Sequence, residues 1–265
     1  MRIIVPIKQV PETSAVKMNE ETGTMVREGV EAIINPLDLY AIESSIDLCE
    51  KMGGEVLALT MGPAKAESAL KEAIAMGCDG GILVSDRSFG GADTWATSYV
   101  LSESIKKAGN FDLIICGERA TDGDTGQVGP GIASFLDLPV ATYVSKIEKV
   151  TESHCIVQRM TEDGYEVLEL ELPAVLTVVK EVSNPRLPTL RGKLKSKNIE
   201  IPVYSTENLV LDNSKLGLNG SPTRVCKIFR PKVARECVKI KALDEKSVEN
   251  AVEELVDFLS KKELI

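Results

Sequence analysis

The residues best suited to chemistry gather in one Gly-rich stretch, ERATDGDTGQVGPG, at residues 118–131. Gly123, Gly126, Gly129 and Gly131 let backbone N–H groups turn toward a ligand, and the helical-looking IASFLDL that follows adds the positive end of a helix dipole. Thr121, Thr125 and Gln127 contribute hydrogen-bonding side chains, with Ala120, Val128 and Pro130 as small or apolar spacers. Asp122 and Asp124 suit ribose hydroxyls, adenine N–H groups or backbone capping better than a phosphate, whose like charge they repel. The stretch lacks G-K-[ST] and only approaches G-x-G-x-x-G, so it is neither a P-loop nor a clean dinucleotide fingerprint. Nucleotide binding and a plain turn of small residues both fit it.

Three further clusters stand out. In GGADTWATS, Asp93 can cap a helix, and Thr94 and Thr97 lie three apart, which puts both hydroxyls on one face of its first turn. Two hydroxyls beside free N–H groups can hold a pyrophosphate, while simple capping with Thr97 against neighbouring helices is the competing reading. Trp95 reads as packing. Asn35 and Pro36, followed by Leu37 and Asp38, form an ordinary helix start, with Asn as cap and Pro at the first position. The fourth cluster is basic: Arg186, Arg191, Lys193, Lys195 and Lys197, beside Leu187, Leu190 and Leu194, in an otherwise acidic chain. A solvated loop and a surface that docks onto an acidic partner both fit it.

Other chemistries lack their residues. His154 is the only histidine and sits in a polar TESHC setting, so multi-histidine metal sites and His-based triads have nothing to build on. The six cysteines (Cys49, Cys78, Cys116, Cys155, Cys226 and Cys237) form no CxxC or Cys/His cluster, which argues against a metal site and against a disulfide framework.

The elements that must position these clusters follow from hydrophobic periodicity. Over about the first 140 residues, short apolar runs (IIVPI, EVLALTM, GILVS, FDLIICG) alternate with segments of helical period, such as Leu39, Ile42, Ile46 and Cys49, or Ala66, Ala69, Leu70, Ala73 and Ile74. Nearly continuous apolar strands joined by helices predict a doubly wound α/β fold with a mostly parallel, Rossmann-like sheet. Beyond Pro139 charged and apolar residues alternate around Asp163-Gly164, a hairpin signal that predicts an antiparallel extension of the sheet. From Asn184 prolines and basic residues predict an irregular arm, and the chain closes with a helix carrying Val248, Ala251, Val252, Leu255, Val256 and Leu259 on one face. That gives residues 1–183 as the α/β domain, 184–240 as an arm and 241–265 as an amphipathic helix that packs on its own domain or on another subunit. In such sheets ligands bind beyond the carboxyl ends of the strands, which is where the clusters lie.

Composition narrows the function classes. The 265 residues carry 31 Lys+Arg against 40 Asp+Glu, a net charge of −9, which argues against nucleic-acid binding as the main activity. No run approaches the roughly 18 apolar residues of a membrane span. The N-terminal MRIIVPIKQVPE runs into a strand-like stretch without a signal-peptide core, so a cytoplasmic location is expected.

Residues 157–177, VQRMTEDGYEVLELELPAVLT, resemble the signature of electron-transfer flavoprotein beta subunits, with Arg159, Glu162, Asp163, Gly164, Glu166, Leu168, Pro173, Val175, Leu176 and Thr177 in its places. The resemblance runs on through IIVPIKQV, Asn35-Pro36, MGPA at 61–64, AMG at 75–77, the Gly-rich loop and NPRLPTL at 184–190, so it covers nearly the whole chain. It implies a nucleotide-binding subunit clasping an alpha subunit that holds FAD. The family's nucleotide pocket falls here on Pro6, Asn35, Pro36, Leu37, Asp38, Met61 and Ala120 to Gly131. The loop that recognises a partner dehydrogenase falls on residues 184–198, with Arg186, Leu187, Leu190, Arg191, Lys193 and Lys195, and Leu190 as the anchoring leucine. Pro6 and Met61 depart from the Ala and Cys associated with AMP-holding members, without removing a required hydrogen-bonding group.

The GGADTWATS stretch and the compact DGDTGQVGP loop are most similar to the electron-bifurcating, two-FAD subgroup, in which Asp93, Thr94 and Thr97 would embrace the FAD pyrophosphate. The expected function is then a beta subunit whose FAD accepts hydride from NADH and splits the electrons between ferredoxin and, through the alpha-subunit FAD, an acyl-CoA or 2-hydroxyacid flavin dehydrogenase. The alternative is a conventional beta subunit that holds AMP and carries electrons without NADH chemistry. On either reading the chemistry belongs to the cofactor, and no side chain of this chain is expected to act as a catalytic acid or base.

Overall fold

The apolar runs form strands buried on both faces. The computed structural model describes residues 1–12, 32–226 and 239–265. The chain runs β1 (Arg2–Pro6), β2 (Gln9–Pro11), β3 (Ala32–Ile34), α1 (Asp38–Met52), β4 (Glu55–Met61), α2 (Glu67–Met76), β5 (Gly80–Val84), α3 (Thr94–Ala108), β6 (Leu113–Gly117) and α4 (Val128–Leu136). It continues through β7 (Val140–Val150), β8 (His154–Thr161), β9 (Gly164–Glu171), β10 (Ala174–Val178), α5 (Leu190–Asn198), β11 (Val203–Tyr204), α6 (Gly217–Gly220) and α7 (Glu245–Lys261). Cα packing divides it into two units, Met1–Cys226 and Lys227–Ile265.

The main sheet has nine strands in the order β11-β5-β4-β1-β6-β10-β7-β8-β9. Its first seven strands are parallel, and β8 and β9 add an antiparallel ribbon. Side chains alternate across it with the two-residue period of a strand. Ile3 and Val5 of β1 and Leu113 and Ile115 of β6 pack toward α1 and α2. Ile4, Ile114 and Cys116 pack toward α3 and α4 on the other face. The doubly wound expectation therefore holds, with helices covering both faces. The hairpin expectation holds too, since Thr161 pairs with Gly164 across a two-residue turn, Glu162-Asp163, and Gly164 opens β9.

After β5 the chain crosses the sheet through α3 and lays β6 against the free side of β1. This is the topological switch point, where the carboxyl ends of two neighbouring strands diverge into loops on opposite faces and leave a crevice. Pro6 and Gly117 mark those two ends.

The expected irregular arm is corrected in part. Thr189 caps α5 by accepting a hydrogen bond from Gly192 N–H at 2.9 Å, and the helix packs on α2. Its period escapes a search for buried apolar residues because Leu190 and Leu194 face outward, at 83% and 62% exposure, while Ser196 is the buried residue. Contact with α2 is made through small groups: a methyl on Gly192 would overlap the Ala75 carbonyl. Val203–Tyr204 then adds a parallel edge strand beside β5. The part of the expected arm at 227–238, with Pro231 and Cys237, lies outside the described residues. In the second unit α7 is a well-capped helix, with Asp244 accepting from Ser247 N–H at 2.9 Å in a capping box, and none of its residues is buried.

Ile114 is wholly buried in the central strand pairing of β6. Ile114→Ala is expected to lower stability by about 2–5 kcal/mol. A fall in the urea midpoint with an unchanged m-value checks this, and an unmoved midpoint contradicts the core assignment.

Candidate functional site

The switch-point crevice is held by one buried carboxylate. Asp38, the first residue of α1, is 5% exposed. Its Oδ2 accepts from Lys8 N–H at 2.7 Å, just past β1, and its Oδ1 accepts from Asn35 Nδ2 at 2.9 Å. Asn35, fully buried, also donates to the Arg119 carbonyl at 2.9 Å and accepts from Thr121 N–H at 3.1 Å. This corrects the expectation that Asn35 caps the helix. Leu37 precedes the first helical residue without a side-chain cap, and the Asn35 amide instead ties the start of α1 to the loop after β6. A buried amide must satisfy both its donor and its acceptor, and this loop offers partners for both. Burial raises the Asp38 carboxyl to about 7, against the pull of its hydrogen bonds from Asn35 and Lys8 N–H.

The Gly-rich loop is pinned at its rim by charge. Lys8 Nζ lies 2.6 Å from Asp122 Oδ1, and Arg119 Nε lies 3.0 Å from Asp124 Oδ1. Neither acidic residue lines the cavity, and each is paired with a cation that does, which lessens the repulsion that makes them awkward beside a phosphate. Gly126 sits at φ +63°, where a side chain is strained. Gly129 and Gly131 differ from the sequence expectation: they belong to the first turns of α4 rather than to the loop. A methyl on Gly129 would overlap Thr177 Cγ2, and one on Gly131 would overlap Ser98 Oγ, so these glycines bring α4 close to β10 and α3.

Two helix starts meet here. Asp93 caps α3 by accepting from Ala96 N–H at 3.0 Å, and Thr94 Oγ1 donates to Gln127 Oε1 at 2.8 Å, linking the start of α3 to the start of α4. Trp95 packs edge-on against Phe135 with ring centroids 5.3 Å apart, in keeping with the packing reading.

Between these elements lies a cavity of about 480 Å³. Of the candidate residues, Pro6, Asp38, Met61, Asp93, Thr94, Thr97, Ala120, Gly123, Thr125, Gly126, Gln127, Val128 and Gly129 line it. Asn35, Pro36, Leu37, Thr121, Asp122, Asp124, Pro130 and Gly131 do not; they hold the walls from behind or lie at the rim. The lining also includes Ile7, Lys8, Ala92, Leu101, Cys116, Gly117, Glu118, Arg119 and Thr223. Cys116 to Arg119 could have been found by following β6 past its end. Thr223 has no local signal, because it arrives from 130 residues beyond Asp93.

The cavity lining combines apolar groups at the ends of β1 and β4 (Pro6, Ile7, Met61) with hydroxyls, an amide and charged side chains, and with N–H groups at helix starts. That combination fits a planar ring system joined to a phosphate or pyrophosphate. The cavity's one thiol among the described residues, Cys116, is not an activated nucleophile. Burial pushes the Cys116 thiol well up, Cys78 to about 12 and Cys49 and Cys155 to about 11, so these thiols stay protonated. His154 is occupied far away, with its Nδ1 3.0 Å from Thr151 Oγ1. Among the described residues no group of His, Cys, Asp and Glu could hold a metal ion.

The electron transfer flavoprotein domain matches residues 22–207. The chain belongs to the electron transfer flavoprotein family, as a beta subunit. It is 45% identical to the electron transfer flavoprotein subunit beta of Thermoanaerobacterium thermosaccharolyticum, over 96% of this chain and 98% of that one. It is 48% identical to the caffeyl-CoA reductase-Etf complex subunit CarD of Acetobacterium woodii, over 87% of this chain and 88% of that one. It is 43% identical to the acryloyl-CoA reductase electron transfer subunit gamma of Anaerotignum propionicum, over 97% and 98%. Among the described residues no helix is long and apolar enough to cross a membrane.

The candidate docking residues of this flavoprotein subunit divide into two sets. Leu187, Leu190, Arg191 and Lys193 point outward. Arg186 turns inward, its Nε 2.9 Å from Glu43 Oε2 and its Nη1 2.6 Å from Glu50 Oε1, and these two partners raise its pKa further. Lys195 stays exposed, but its Nζ donates back to the Cys78 carbonyl at 3.1 Å.

Two outcomes follow. Because the folded chain raises the Asp38 pKa above its ordinary value near 4, folding favours the protonated form, so this residue's contribution is fully present below about 4 and falls away as pH rises toward 7. The stability difference between wild type and Asp38→Asn should therefore shrink with rising pH across that window, and parallel melting curves over pH 4–8 would contradict it. Arg186→Ala should cost about 1–3 kcal/mol by unpairing Glu43, while Arg191→Ala stays within about 0.5 kcal/mol. Equal urea midpoints for the two variants would reject the inward assignment of Arg186.

Proposed function

We propose that the cavity holds an FAD, and that the protein is the beta subunit of an electron-bifurcating complex. The observation that carries this reading is that α3 and α4 both begin at one cavity, with Thr94 hydrogen-bonded to Gln127 between them. One phosphate needs one helix start, whereas a pyrophosphate with its two phosphates matches two. The resemblance of GGADTWATS to two-FAD members and the similarity to the caffeyl-CoA reductase-Etf subunit support it.

In this reading the apolar groups of Pro6, Ile7 and Met61 take the adenine, and the Gly-rich loop takes the ribose and the first phosphate. Thr94 and Thr97 take the second phosphate. Asp93 acts chiefly through structure, because its carboxylate caps α3. The bound FAD would supply acceptance of a hydride from NADH and one-electron delivery to ferredoxin and, through the alpha-subunit FAD, to a partner flavin dehydrogenase of acyl-CoA or 2-hydroxyacid type. The chain's own residues bind and orient the cofactor and shield its pyrophosphate from water. Leu187, Leu190, Arg191 and Lys193 form the face that meets the partner dehydrogenase.

The test is the nucleotide released by acid from the purified alpha–beta complex. Two FAD and no AMP per heterodimer is the expected result, together with NADH-dependent ferredoxin reduction in the presence of the partner dehydrogenase. One FAD and one AMP overturns the FAD assignment and makes the subunit a conventional electron carrier.

A further inference from the structure

Thr223 closes the cavity from the far end of the first unit, and nothing in its local sequence announces that. The stretch from Gly217 to Thr223 runs alongside the residues that lead into α3. Leu218 N–H donates to the Gly90 carbonyl at 3.1 Å. Ser221 Oγ accepts from Asp93 N–H at 2.8 Å and donates to the Gly217 carbonyl at 2.7 Å. Thr223 then bonds twice to one oxygen: its N–H and its Oγ1 lie 3.0 and 2.7 Å from Asp93 Oδ2. Asp93 Oδ1 meanwhile accepts from Ala96 N–H. A single carboxylate therefore caps α3 with one oxygen and anchors a remote wall of the cavity with the other. Partial burial works against this carboxylate, but its bonds from Ala96 and Thr223 hold it below the usual range, so it is ionised at neutral pH.

We propose that Thr223 is a positioning residue for the nucleotide site, holding the 217–223 segment as a wall through Asp93 and thereby setting how slowly the bound nucleotide leaves. This rests on the reading that the cavity holds a nucleotide. Thr223 and Asp93 both line the cavity, on the side where α3 begins. Without the anchor the segment keeps the bonds from the Asp93 N–H to Ser221 and from the Leu218 N–H to the Gly90 carbonyl, but Thr223 itself is no longer tied to the Asp93 carboxylate. The start of α3 then opens to water, which weakens every charge interaction made there.

Loss of one hydrogen bond to a charged group corresponds to release about tenfold faster. The measurement is the rate at which the purified alpha–beta complex loses its bound nucleotide after dilution, followed by chromatography of the free nucleotide. Thr223→Val should release about tenfold faster than wild type, and Thr223→Ser, which keeps both donors, should restore the slow rate. Asp93→Asn offers a second route, since Asn is as good a helix cap as Asp but presents an NH₂ to Thr223 in place of the second oxygen. It should release at least as fast as Thr223→Val, because valine keeps the backbone N–H bond whereas the asparagine amide faces both donors, and the double variant should be no faster than Asp93→Asn alone, because the hydroxyl bond is already lost there. An unchanged rate for Thr223→Val in a loaded complex overturns the proposal alone, as do a Ser variant that fails to restore retention and single effects that multiply. A wild-type complex that carries no nucleotide overturns the site reading and the proposal with it.

Discussion

A buried carboxylate that must find donors organises this protein's crevice. Asp38 stands at the start of α1 beside the end of β1, almost wholly buried at the cavity wall, and a carboxylate there is held by accepting hydrogen bonds. Lys8 N–H and Asn35 supply them, and the rest of Asn35 reaches over to Arg119 and Thr121. Three segments far apart in sequence are thus fixed relative to one another by one acid and one amide. The doubly wound topology brings them near; the polar pair sets their register, because each unmet hydrogen bond in such a place costs about 1–3 kcal/mol.

Around this centre the Gly-rich loop is held from two sides. Its rim is tied by Lys8–Asp122 and Arg119–Asp124, contacts half open to water that contribute little energy by themselves but pair each of the two negative charges with a cation. Its far end runs into α4, which Gly129 and Gly131 allow to press on Thr177 and Ser98. What lines the cavity is a mixture of hydroxyls, an amide, apolar side chains and charged groups of both signs.

The outer surface follows a different logic. On α5 the apolar side chains face solvent and the small ones face the protein, the reverse of an ordinary surface helix. Arg186, bound to Glu43 and Glu50, fixes the approach to that helix, so the basic cluster contains both anchor and display.

The sequence by itself determined the fold class and the neighbourhood of the site. Apolar runs such as FDLIICG can only be strands buried on both faces, the helices between them carry their stripes at helical spacing, and Asp163-Gly164 marks the hairpin. The Gly-rich loop and GGADTWATS are visible because hydroxyls, glycines and helix starts cluster within a few residues. Only the tertiary structure decided which of these residues face the cavity and which stand behind it. Asn35 reads as a cap until the loop after β6 is seen beside it, Gly129 and Gly131 read as loop residues until α3 and β10 are seen pressing on α4, and Arg186 reads as a docking charge until Glu43 is seen beneath it. Thr223 could not be read at all. Periodicity records how each residue relates to its own element, whereas these roles depend on contacts between elements tens to more than a hundred residues apart, which only the folded chain brings into hydrogen-bonding distance.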